Sequence, residues 1–126
     1  MNTETMLQEA RLLIHRSYAP YSSFRVAAVI EDSRGHLHGG VNVENSSYGM
    51  TMCAERSAVF AAVASGSRTF RKMVIYSPDG PPLPCGACRQ VLWEFCSKDF
   101  KITVASDGIP PREYSLGDLL PEAFQL

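Results

Sequence analysis

The chain has 126 residues and a formal net charge of -1, with 45% apolar and 20% charged side chains. Those proportions describe one folded domain spanning 1–126, and a chain of this length buries roughly two-thirds of its unfolded surface. No apolar run approaches the roughly 18 residues of a membrane helix, and 12 basic against 13 acidic side chains give no electrostatic footing for nucleic acid.

In chain order, Met6, Leu7, Ala10, Leu13 and Ile14 recur at helical spacing, which predicts a helix over 3–18 ended by Pro20. The same stretch has two glutamates before its first arginine and no apolar signal core, so a cytoplasmic location is expected. Segments 24–30 and 37–43 read as strands joined by the turn Asp32-Ser33-Arg34-Gly35, hence a hairpin. Residues 45–50 carry no period. The alanine-rich run from Cys53 to Ser65 predicts a buried helix stopped by Gly66. A short strand follows over 72–76. The loop 77–84, with four prolines and a glycine, should be rigid and run over the surface. A helix over 86–97, a strand over 100–105, a turn at Asp107-Gly108 and a short serine-capped helix over 115–120 complete the reading. The order predicts an α/β fold, a three-layer αβα sandwich on a mixed sheet: an antiparallel hairpin, then parallel strands joined by crossovers.

Four cysteines, with one Cys-x-x-Cys, in a chain lacking a signal core favour metal or redox chemistry over disulfides. Cys53-Ala54-Glu55-Arg56 and Pro84-Cys85-Gly86-Ala87-Cys88-Arg89-Gln90 each stand at the head of a predicted interior helix. Free N–H groups and partial positive charge there ease thiol ionisation, and such heads lie near the ligand crevice of an open α/β sheet. Three thiolates with one open position is the layout of a catalytic zinc site, since a structural site fills all four positions. Cys96 lies eight residues beyond Cys88, roughly 12 Å along the helix, and reads as a buried hydrophobe instead. Glu55, two residues after Cys53, is placed for general acid–base work beside the metal. Arg56 can donate to a cysteine sulfur and offset the excess negative charge of three thiolates. Without Glu55 and the third cysteine, the Cys-x-x-Cys reads more simply as a structural zinc knuckle or a redox pair. Phe24 alone reads as core, Asn42 and Glu44 as polar positions of a half-exposed strand, and the three histidines as surface residues.

Longer segments carry a resemblance. Tyr18-Ala19-Pro20-Tyr21-Ser22-Ser23-Phe24, Gly40-Val41-Asn42-Val43-Glu44-Asn45-Ser46-Ser47-Tyr48-Gly49, both cysteine segments and Leu119-Leu120-Pro121 occur in the order found in small zinc-dependent cytidine deaminases. The chain resembles that family over nearly its whole length. The resemblance implies one Zn2+ per subunit on Cys53, Cys85 and Cys88, and proton transfer by Glu55 during hydrolytic deamination of cytidine or 2′-deoxycytidine in pyrimidine salvage. It implies that Phe24 stacks on the base, that Asn42 and Glu44 bind sugar hydroxyls, and that Ala54 lines the pocket. It further implies a homotetramer in which a neighbour's Phe124, helped by Tyr48, closes each site, with no nucleic-acid or membrane partner. Strand alternation independently puts Asn42 and Glu44 on one face, with Val41 and Val43 toward the core. Ala27, where the family commonly has Gly, and Leu83, where it has Ser or Thr, bear on pocket shape. The alternative from another class is a zinc-stabilised interaction module without turnover. Within the enzyme reading, a deaminase of modified nucleosides is the alternative, against which the intact Asn42–Gly49 segment argues.

Overall fold

In the computed structural model, which describes residues 2–126, two layers of helix sandwich one mixed sheet. Helix α1 (Thr3–Leu13) is capped by Asn2, whose Oδ1 accepts the Thr5 N–H at 2.8 Å, and it buries Met6, Leu7 and Ala10. It ends earlier than its apolar spacing predicts, passing into one 3-10 turn over Ile14–Arg16. Strands β1 (Ala27–Asp32) and β2 (Leu37–Val41) form the expected hairpin, with Ala27 opposite Val41. Helix α2 (Ala54–Ala64) leads to β3 (Phe70–Ser77) and α3 (Gly86–Phe95) to β4 (Lys101–Ser106). The chain closes with β5 (Ile109–Ser115) and the single-turn α4 (Leu116–Leu119).

The strand order is β2-β1-β3-β4-β5, among the described residues. Only β3 and β4 pair in parallel; β1 runs antiparallel to both β2 and β3, and β5 antiparallel to β4. The mixed sheet is as expected, but its parallel part is one pair and its last strand has no counterpart in the sequence reading. Pro110 and Pro111 mask that strand, since proline removes ladder donors; β5 tolerates them because it is an edge. Ser115 does stand at the head of α4 but makes no cap bond, its Oγ accepting from Lys101 Nζ at 2.7 Å instead.

Alternation along β1 separates two cores. Ala28 and Ile30 pack with Ala58, Val59, Met73, Leu92 and Ile102 on the α2–α3–α4 face. Ala27 and Val29 pack with Met6, Leu7, Ala10 and Val74 under α1. The edge strand β2 is gripped from the α2 side at Gly40. A Cβ there would stand 2.4 Å from Ala58 N and 2.7 Å from Ala54 O, so helix backbone rests directly on strand backbone. That contact fixes where α2 begins relative to the residues that follow β2.

Candidate functional site

The sheet register brings one set of chain ends together. Ala27 pairs with Val41 and Tyr76, and Tyr76 with Ala105, so the start of β1, the end of β2 and the ends of β3 and β4 share one edge of the sheet. The heads of α2 and α3 lie there. Cys53 is the N-cap residue of α2 and Cys85 that of α3, and neither side chain is spent on a cap bond. Cys88 sits in the first turn of α3 and is fully buried.

The three sulfurs lie within 4.8 Å of one another, with Cys53 Sγ 3.7 Å from Cys85 Sγ and Cys85 Sγ 3.4 Å from Cys88 Sγ. Tetrahedral thiolates bound at the usual zinc–sulfur length stand about 3.8 Å apart, so the cluster needs little movement to hold such an ion. Arg56 Nη2 donates to Cys53 Sγ at 3.3 Å, and its Nε–H is buried with no hydrogen-bond partner among the described residues. An arginine so placed needs electron-rich neighbours, which a thiolate centre provides. A hydrogen bond from Cys88, aided by Arg56 and Cys85, pulls the Cys53 thiol below its ordinary value. The same bond, with burial, pushes Cys88 up. A bound cation favours the thiolate form of its ligands, so metal binding and ionisation of this cluster are coupled.

One cavity of about 220 Å3 adjoins the cluster, lined by Phe24, Val26, Asn42, Thr51, Met52, Cys53, Ala54, Glu55, Pro82, Leu83 and Cys85. Glu55, the second residue of α2, is only 5% exposed, and burial pushes its carboxyl up to about 7. Asn42 has its amide orientation fixed. Its Oδ1 accepts from Ser17 Oγ and from the Val26 N–H at 3.0 Å, while Nδ2 donates to Phe24 O at 2.8 Å, leaving one Nδ2 hydrogen free to meet a ligand.

Not every expected residue enters that cavity. Glu44 and Tyr48 line an adjoining depression of about 360 Å3 with Tyr21, Ser22 and Thr51, and Thr51 borders both. β2 stops at Val41, beyond which the chain pairs through Val43 with Tyr18 and Met52 instead, and Val43 is 46% exposed rather than core. Glu44 Oε1 accepts the N–H groups of Tyr21 at 3.0 Å and Ser22 at 3.1 Å, and Oε2 accepts from Ser22 Oγ. The Ser22 hydroxyl, foremost, holds the Glu44 carboxyl below its usual range. Phe124 lies in neither hollow; it is 70% exposed, beside Gln90 and Trp93, and Gln90 Nε2 donates to its carbonyl at 3.0 Å. Cys96 caps the far end of α3, half-buried, and burial pushes its thiol up to about 12.

The sequence reading passed over Ser17, Thr51 and Pro82. Adjacency to Cys88 in sequence predicts that Arg89 and Gln90 both support the second cysteine segment by hydrogen bonds. Arg89 does so, its Nε donating to Pro84 O at 2.8 Å and Nη1 to Leu119 O at 2.7 Å, whereas Gln90 turns to the Phe124 carbonyl. Leu83 had carried a signal as a departure from the family pattern, and it does line the cavity.

A family model for the cytidine and deoxycytidylate deaminase zinc-binding region matches residues 1–104. The chain belongs to that family. It is 40% identical over 125 residues to the cytidine deaminase of Sporosarcina psychrophila, covering 98% of this chain and 92% of that one. The crystal structure of cytidine deaminase from Burkholderia pseudomallei superposes with a TM-score of 0.92 at 39% identity, covering 98% of this chain and all (100%) of that one. That of the Mycobacterium tuberculosis cytidine deaminase gives 0.85 at 35% identity, covering 100% and 99%. The family's zinc-binding region and the three-cysteine cluster together assign the centre to Zn2+. No helix among the described residues is long and apolar enough to cross a membrane.

Proposed function

We propose that residues 1–126 form a single catalytic domain that hydrolyses cytidine, 2′-deoxycytidine or both to the uracil nucleosides and ammonia, in pyrimidine salvage. The observation that carries this reading is a buried carboxylate, Glu55, on the same cavity wall as two of three clustered cysteines. A structural zinc knuckle needs neither a cavity nor such a group. Cys53, Cys85 and Cys88 hold the zinc, which when bound supplies Lewis acidity that makes water ionise near neutral pH.

The remaining work falls to the chain. Glu55 accepts a proton from the attacking water and delivers it to N3 of the pyrimidine. It then takes the remaining proton of the hydroxyl added at C4 and passes it to the amine, which leaves as ammonia as the C4 carbonyl forms. Burial keeps Glu55 out of bulk water, so the proton is passed on rather than lost to solvent. Arg56 donates to Cys53 and tempers the charge of the three thiolates. Phe24 supplies an apolar face for the base, and Ala54 a wall without bulk. The sugar hydroxyls donate to the ionised Glu44 and accept from the free Nδ2 hydrogen of Asn42. No lysine or arginine borders either hollow, which suits an uncharged nucleoside.

The working form is a homotetramer in the cytoplasm. Its support is the apolar surface left bare by one copy: Phe124 is 70% exposed and lies outside its own cavity, so it is free to close a neighbour's site, and Tyr48, at the rim of its own hollow, is 76% exposed. Loss of cytidine absorbance, followed with zinc-loaded protein and then with deoxycytidine, tests the reaction. The Glu55→Gln variant should keep its zinc and fold while kcat/KM drops by about 10²- to 10⁴-fold. Folded, zinc-bound parent protein that leaves both nucleosides unchanged would sink the reading.

A further inference from the structure

The loop from Pro78 to Pro84, between β3 and α3, is tied down beside Phe24 more thoroughly than a surface loop requires. Asp79 Oδ2 accepts the Arg25 backbone N–H at 2.9 Å and Arg25 Nε at 3.1 Å, and Oδ1 accepts Arg25 Nη2 at 3.0 Å. The Asp79 N–H in turn donates to Ser77 Oγ at 3.1 Å. The Arg25 and Asp79 side chains are 47% and 25% exposed, and ion pairs so open to water stabilise a fold little. Three bonds onto one carboxylate do, however, fix position. The next residue shows what is being positioned. Gly80 has φ +152, and a Cβ built there would stand 3.2 Å from Phe24 Cε2 and 3.6 Å from Cζ. The loop backbone at Gly80 therefore comes close to the outer end of the Phe24 ring and leaves no room there for a side chain. Beyond it, Pro82 and Leu83 continue round the same cavity to Cys85.

Phe24 has no ladder partner of its own, since β1 begins only at Ala27. Its N–H donates to Ser22 Oγ at 3.0 Å and its carbonyl accepts from Asn42, so the main chain is held while the ring depends on neighbours. A ring that must be ordered anew each time a base arrives gives back part of the stacking energy. We propose that Asp79, through its clamp on Arg25, and Gly80, through its contact with the ring, are positioning residues that hold Phe24 as a preset platform for the pyrimidine. The inference rests on the reading of Phe24 as the base-stacking residue.

Asp79→Ala in the zinc-loaded protein should raise KM for cytidine by about 3- to 10-fold, the range set by one aromatic contact, with kcat within about twofold. Zinc content and Tm should barely move. Asp79→Asn, which keeps an acceptor for the Arg25 backbone N–H, should recover part of the loss. Gly80→Ala should act in the same direction, and neither change should add to Phe24→Leu, because all three act through one ring. With ring-labelled phenylalanine, the NMR signals that vanish in Phe24→Leu should shift or broaden in Asp79→Ala while those of other rings stay. Unmoved Phe24 signals, an unchanged KM in Asp79→Ala, or an effect undiminished in the Phe24→Leu background would each overturn the proposal. If the parent protein does not turn over cytidine, the functional reading alone fails, and the Phe24 signals still decide whether the clamp positions the ring.

Discussion

Two buried carboxylates stand at opposite ends of the sheet in opposite conditions. At the far end of β1, Asp32 is 1% exposed yet richly supplied with donors. Its Oδ1 accepts the N–H groups of Arg34 at 2.9 Å and His36 at 3.0 Å, and its Oδ2 accepts Ser67 Oγ at 2.7 Å. His38 Nε2 stands 2.9 Å from the same Oδ2 and must be its donor, because an ionised carboxylate only accepts. These bonds, that of His38 foremost, hold Asp32 well below the usual carboxylate range. At the other end, Glu55 is equally hidden from water, but burial dominates and pushes it up to about 7. The difference teaches that burial alone does not assign a role. A satisfied carboxylate is a staple: Asp32 ties the hairpin turn to Ser67, beyond α2. A carboxylate whose burial outweighs the donors around it is poised to exchange a proton.

Crossed substitutions give the sharpest break, and the largest effects. Asp32→Asn puts an amide NH2 where donors already converge, so Tm should fall by several degrees while kcat/KM for cytidine stays within about twofold. Glu55→Gln, beyond the loss of turnover already argued, should leave Tm unchanged or raised, since an amide of the same shape carries no charge to bury. Thermal melts and initial rates on both variants check the crossing. Loss of activity and stability together in Asp32→Asn would mean that the two ends are coupled through β1.

The two ends also differed in how well they could be read from the sequence. The cysteines and Glu55 were legible because their chemistry is local: both segments are short and each opens a helix, α2 announced by its alanine content and α3 by Val91, Leu92 and Phe95 on one side. The Asp32 cluster was not. Asp32 sits in a Ser-Arg-Gly context that reads as an exposed turn, yet it ends β1, and His38, read as a surface residue, has a side chain only 13% exposed. Its partner Ser67 is 35 residues away in sequence. Arg25 and Asp79 are 54 apart, and nothing in either segment announces the other. Pairing at such distance is set by sheet register, and register here depends on the Gly40 contact and on β1 pairing with β3 across the intervening α2. The layering needed only periodicity and came through, whereas β5, broken by two prolines, did not.

A smaller effect comes from acid. Because the folded state holds Asp32 below its unfolded value of about 4, its contribution is fully present above pH 4 and is lost as pH falls from there toward the folded value. Below pH 4 the unfolded chain binds the extra proton, so Tm should decline on acidification. His36, His38 and Arg34 face this carboxylate, and none of them removes the sign of the effect. Asp32→Asn should flatten that limb, its Tm curve converging on the parent's as pH falls. Parallel curves between pH 5 and the acid extreme would assign the acid loss to other groups.

The smallest expected effect separates the two histidines beside Asp32. His36 contributes through its backbone N–H; its ring Nδ1 is 3.8 Å from Asp32 Oδ2 and its side chain is 67% exposed. Alanine keeps that N–H, so His36→Ala should change stability by no more than about 0.5 kcal/mol. His38 donates from a mostly covered ring at 2.9 Å, and His38→Ala leaves Asp32 Oδ2 with the Ser67 hydroxyl alone. Its melt should drop clearly further, and its acid limb should be shallower than the parent's, since the main cause of the low Asp32 value is gone. Equal melts for the two variants would mean that the exposed His36 ring replaces His38 on the carboxylate. Asp32 would then be a staple with interchangeable donors, and its contrast with Glu55 would rest on how many donors are within reach rather than on which residue supplies them.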